Sequence, residues 1–129
     1  MRILGFSQKW PKLDEATFTT FRVKRRDKDW QQSELVQIVY KPRSKDREIL
    51  GLAVIISKDM RRLRTPFDDL HGAFEPSPIT RAEAIADGFP SYKAMAAWLH
   101  KVHGLGPNAH INKLTLLYHA RYIKASADV

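Results

Sequence analysis

The stretch "ILGLAVIIS", Ile49–Ser57, decides the fold class. It is apolar at odd and even positions alike, so a strand built from it hides both of its faces. Such a strand sits in a closed barrel or in a sheet covered by helices. Just before it, "KPRSKDRE" (Lys41–Glu48) breaks the pattern with a proline, a serine and charges. That is the signature of a hairpin loop. The β-branched run "ELVQIVY" (Glu34–Tyr40) is then the partner strand.

Working outward toward the N-terminus, "TFTTFR" (Thr17–Arg22) and "RILGFS" (Arg2–Ser7) have the content of two further strands. "KWPKLDEA" (Lys9–Ala16) connects them, with room for one helical turn. Toward the C-terminus, Met60 to Pro78 holds three prolines and a glycine and is expected to be an irregular excursion. Two helices follow. Thr80 and Glu83 form a capping box, Ile79 is placed to staple onto Ala84, and Gly88 ends the helix in a left-handed turn. Ser91 caps the second helix. Met95, Trp98, Leu99 and Val102 follow the spacing of one buried face, and Gly104 stops it. The last element, "KLTLLYHARY" (Lys113–Tyr122), alternates. Leu114, Leu116, Tyr118, Ala120 and Tyr122 share one face, and Lys113, Thr115, Leu117, His119 and Arg121 the other. The expected architecture is α+β: a single domain over residues 1–129, built as a small mixed β-barrel with flanking α-helices.

Composition narrows the function. The chain has 129 residues, no cysteine and a net charge of +8. Without cysteine there is no disulfide framework, thiolate metal site or thiol nucleophile. No apolar run is long enough to span a membrane, and the N-terminus lacks the features of a signal peptide. A cytoplasmic protein with no membrane partner is expected. The positive charge calls for an anionic partner, most commonly nucleic acid.

The cations are clustered. From Arg22, five of seven residues are basic: Arg22, Lys24, Arg25, Arg26 and Lys28. Lys41, Arg43, Lys45 and Arg47 alternate along the hairpin tip and would share one face if it were extended. Lys58, Arg61, Arg62 and Arg64 make a third group. Clustered cations neutralise phosphates, and Trp10, Trp30 and Tyr40 beside them offer faces on which bases stack. His100, His103 and His110 lack the spacing of a zinc site, so neither metal nor cofactor is expected. No phosphate-binding glycine loop and no standard nucleophile motif is present. Docking of an acidic protein on the same cations is the non-enzymatic, non-nucleic-acid alternative.

Thr20-Phe21-Arg22 in "TFTTFR", together with "EAIADGFPSYKAMAAWLHKVHG" (Glu83–Gly104) and the final strand, resembles the ASCH family, whose members are PUA-like. The resemblance covers most of the chain and rests on the order and spacing of short motifs. It implies a PUA-like barrel with a cleft between barrel and helices, and an RNA-related function. Some family members are amidohydrolases acting on acetylated cytidine, and at least one is a ribonuclease. The amidohydrolases work with a lysine, a threonine and a glutamate. The threonine falls on Thr20 and the acid on Asp87, one methylene shorter. The lysine position falls on Thr17, which has no amine; Lys9, Lys12 and Lys24 are the nearby candidates to replace it. The resulting expectation is an RNA or single-stranded nucleic-acid binder with a basic cleft. Its contacts would come from Arg22, Lys24, Arg25, Arg26, Lys41, Arg43, Lys45, Trp10 and Trp30. The alternative is a hydrolase of a modified nucleoside or of RNA that uses Thr20 and Asp87.

Overall fold

The computed structural model describes residues 1–64 and 76–121. The strands are β1 (Arg2–Phe6), β2 (Thr17–Arg22), β3 (Leu35–Tyr40), β4 (Glu48–Arg62) and β5 (His110–Arg121). The helices are α1 (Arg81–Asp87) and α2 (Tyr92–His103), and a single 3-10 turn, Pro11–Asp14, lies between β1 and β2. The five strands form one mixed sheet in the order β1-β3-β4-β5-β2. β1 runs parallel to β3, and β3 antiparallel to β4. The fold is thus a small α+β protein, as the sequence leads one to expect. No helix among the described residues is long and apolar enough to cross a membrane.

The described residues divide into two compact units. One takes Met1–Phe18, Gln31–Ser57 and β5 from Thr115; the other takes Thr19–Trp30 and Lys58–Leu114. In the first unit Leu4, Phe6, Phe18, Val36, Ile38, Val39, Ala53, Ile55 and Leu116 are buried. Phe18 meets Phe6 edge-on at 6.1 Å and Tyr118 at 5.4 Å. The Tyr118 hydroxyl donates to the Leu13 carbonyl at 2.9 Å, which ties the 3-10 turn to β5. Register slips by one residue between Ile38 and Val39: Ile38 faces Gly51, Val39 faces Ile49, and Leu50 is the extra residue. At Gly51 a side chain is impossible without movement, because a Cβ there would strike the Ala120 carbonyl oxygen and lie 3.1 Å from the Arg121 Cα.

The second unit buries Phe21, Leu63, Ile79, Ala84, Met95, Leu99 and Ile111 around both helices. Its helix ends follow the sequence signals. The Thr80 hydroxyl accepts from the Glu83 N–H at 3.1 Å, and the Glu83 carboxylate accepts from the Thr80 N–H at 3.0 Å. Ile79 and Ala84 are both fully buried in the same cluster. Gly88 (φ 113°) and Gly104 (φ 69°) adopt the left-handed conformation, and the Ser91 hydroxyl accepts from Ala94 N–H.

Three expectations need correction. β4 continues to Arg62 rather than stopping at Ser57, so the excursion begins later; residues 65–75 lie outside the described residues, as does Tyr122. Charged residues persist in the strand because the Lys58 and Arg61 side chains find carboxylates, and Arg62 bonds through its backbone to Ser77 and Ile79. The hairpin tip is not extended. Ser44 N–H closes a turn on Lys41 and Arg47 N–H closes another on Ser44, so its cations do not share one strand face. On α2, Met95 and Leu99 are buried, but Trp98 and Val102 are 45% and 51% exposed. The seven-residue α1 is too short to cover that second stripe, and Trp98 rests instead on Phe89 (5.8 Å) and His103 (5.4 Å).

Candidate functional site

Near the end of β2, Thr20 and Phe21 are buried and Arg22 is half-buried. Phe21 points into the helix-covered core, while Thr20 and Arg22, two residues apart, share the opposite face. Thr20 is almost fully buried, and its hydroxyl accepts from Arg22 Nε at 3.2 Å. That hydroxyl keeps its own proton to donate. Burial pushes the Arg22 guanidinium down to about 10, and the nearby Asp87 carboxylate opposes the shift. Arg22 is therefore still a cation at neutral pH, half-buried and partly stripped of water. Asp87 is the last residue of α1, where an acid opposes the helix dipole. The Arg22 charge offsets that cost. Arg22 is thus in contact with Thr20 and within the electrostatic reach of Asp87.

The basic loop after β2 behaves differently from residue to residue. Lys24 and Arg26 are exposed, with no ion pair among the described residues. Arg25 bonds to Asp27 at 3.2 and 3.3 Å, and its guanidinium lies 5.5 Å from the Trp30 ring. Trp30 itself is only 4% exposed. Its indole fills the core, so it is not available as a stacking face, which corrects the expectation from sequence. Proximity to cations did not distinguish a binding tryptophan from one that anchors a loop.

In the other unit, Trp10 is half-buried at the start of the 3-10 turn. The Tyr40 ring is flanked by Lys9 (5.0 Å) and Lys41 (5.3 Å). Lys9 also pairs with Glu48 at 2.6 Å, a hydrogen bond that raises its pKa above the ordinary lysine value. Lys12 lies over Phe6 at 5.7 Å. Of the lysines proposed to stand in for the missing amine at exposed Thr17, two are therefore engaged within their own unit. Arg43, Lys45 and Arg47 are exposed and make no ion pair among the described residues.

The third cationic group is consumed internally. Lys58 pairs with Asp29 at 2.9 Å and Arg61 with Glu83 at 3.1 Å; Arg62 is buried, and the half-buried Arg64 guanidinium donates to the Ile79 carbonyl at 3.5 Å. It offers no solvated cluster for phosphates. Glu83 also receives Lys113 at 2.6 Å. Burial pushes this carboxyl up, but the Lys113 bond, the Thr80 N–H and the Arg61 charge outweigh it and hold it below the usual carboxylate range.

Sequence reasoning took Glu83 for a cap and missed its second role as the meeting point of β4, β5 and α1. It also missed Asp29 and Asn112. The Asn112 amide donates to both Asp29 oxygens, at 2.9 and 3.2 Å. A signal existed: Asn112 precedes Leu114 and Leu116 at period two, so a polar residue was bound for the buried face and needed a partner. Among the described residues no group of three or more His, Asp or Glu side chains is arranged to hold a metal. No family model, curated protein or solved structure matches the chain.

Proposed function

We propose that this chain is a cytoplasmic ASCH-type domain of the PUA-like class, its sheet closing as a small barrel, that binds RNA or another single-stranded nucleic acid on a basic surface centred on Arg22. The observation that carries this reading is the setting of Arg22: a cation short of water, steadied by Thr20 and balanced by Asp87. A phosphate or a base edge replaces the missing hydration with charge-assisted hydrogen bonds. Lys24 and Arg26, exposed on the adjoining loop, extend the attraction along a backbone. The hairpin cations Lys41, Arg43 and Lys45 belong to the other unit and are a separate set. Titration of a short labelled RNA at several salt concentrations tests the proposal. Tight binding at low salt with a steep salt dependence is expected; undetectable binding at low salt overturns it.

A second reading, hydrolysis of an acetylated nucleoside or of RNA, draws support from the convergence of Thr20 and Asp87 on one guanidinium. Asp87 would activate water, Thr20 would orient substrate and Arg22 would stabilise an oxyanion. The exposed Thr17 in the lysine position ranks it second. Incubation with acetylated cytidine and with labelled RNA decides: turnover abolished by Asp87→Ala supports hydrolysis, and survival of both substrates removes it.

A further inference from the structure

The loop between β2 and β3 carries an unbroken charged run, Lys24–Asp29, and a loop of that kind would ordinarily lose much conformational freedom on meeting a polyanion. Here one acidic residue holds it from within. The Asp29 carboxylate accepts from Lys58 Nζ on β4 at 2.9 Å, from the Asn112 amide on β5 at 2.9 and 3.2 Å, and from the Arg25 backbone N–H of its own loop at 3.2 Å. Asn112 is 1% exposed, so this end of the loop is fastened to the sheet interior. The next residue, Trp30, is buried, and Arg25 stacks near its ring. Lys24, Arg26 and Lys28 nevertheless stay exposed.

We propose that Asp29 is a positioning residue for nucleic-acid binding: it locks the basic loop against β4 and β5 so that the exposed cations meet a phosphate backbone already ordered. This rests on the nucleic-acid reading above. It runs against simple charge counting, in which any acid in a basic loop weakens attraction to a polyanion and its removal strengthens binding. The two accounts differ in sign.

The experiment measures binding of a short fluorescein-labelled single-stranded RNA by the full chain, well below the melting temperature of each variant. Asp29→Asn should bind about three- to tenfold more weakly than wild type, because ordering the loop is then charged to the binding step. Asp27→Asn, which removes an equal charge from the same loop but leaves the anchor to β4 and β5 in place, should bind more tightly. Asn112→Leu keeps the net charge and a similar volume while removing one anchor, so it should weaken binding in the same direction as Asp29→Asn. It also keeps the proposal testable if Asp29→Asn does not fold. The slope of affinity against salt should be unchanged in Asp29→Asn, since the number of phosphates met is the same. Exchange of the Arg25 amide hydrogen should quicken in both anchor variants. Wild type that binds RNA while Asp29→Asn binds equally or more tightly overturns the positioning role alone. Wild type that does not bind RNA removes the nucleic-acid reading and the role with it.

Discussion

Arg22 is worth more in its setting than as one of 22 basic side chains. Its guanidinium has lost part of its hydration, Thr20 accepts from its Nε, and the nearby Asp87 charge favours its protonated form. Arg22→Ala should reduce RNA affinity by at least about tenfold, whereas loss of one solvated cation such as Arg43 should cost a few-fold at moderate salt. Fluorescence anisotropy on both variants checks the contrast. Trp30 makes the opposite kind of prediction. Because its indole is core, Trp30→Ala should lower unfolding free energy by about 3–5 kcal/mol, measured by urea denaturation. Glu83 makes a prediction about acid. Its folded pKa is depressed, so its contribution is complete above the ordinary glutamate range, about pH 4–5, and is lost as pH falls through the lower folded value. Glu83→Gln should therefore be destabilised at pH 7 by about 1–3 kcal/mol and lose part of the acid-side decline that wild type shows. Urea midpoints at pH 7 and pH 4 measure both effects.

At the scale of elements, local chemistry was legible where the signal is short-range. Both helix starts and both left-handed stops follow from Thr80, Ser91, Gly88 and Gly104, and β2 spans the quoted Thr17–Arg22. What could not be read depends on partners distant in sequence. The length of β4 hinges on Asp29 and Glu83 accepting Lys58 and Arg61 from afar. The exposure of Trp98 depends on how little of α2 the short α1 covers. Of the candidate site, the shared face of Thr20 and Arg22 was legible in the period-two spacing of β2, while Asp29 and Asn112 were hidden because their value lies in meeting each other. Gly51 shows the same dependence: only the neighbouring Ala120 carbonyl makes it obligatory. Gly51→Ala should cost about 1–3 kcal/mol by overpacking, with Thr80→Ala costing about 1 kcal/mol by loss of the cap. Thermal melts of the two variants test this ordering.

At the scale of the whole molecule, the net charge of +8 is not spread evenly in its effect. Lys58, Arg61 and Lys113 are spent on Asp29 and Glu83, and Lys9 on Glu48. Among the described residues the exposed cations are most closely spaced on the Lys24–Lys28 loop and on the β3–β4 hairpin, while Arg81, Lys93 and Lys101 are scattered over the helices. A single-stranded ligand that meets Arg22, Lys24, Arg26 and Lys28 gives a log–log slope of affinity against salt of about −3. The most direct test is the salt dependence of RNA binding for wild type and Arg22→Ala side by side. The account predicts a steep slope for wild type, and a variant at least about tenfold weaker whose slope is shallower by about 0.7. Equal affinities, or a wild-type slope near zero, would contradict it.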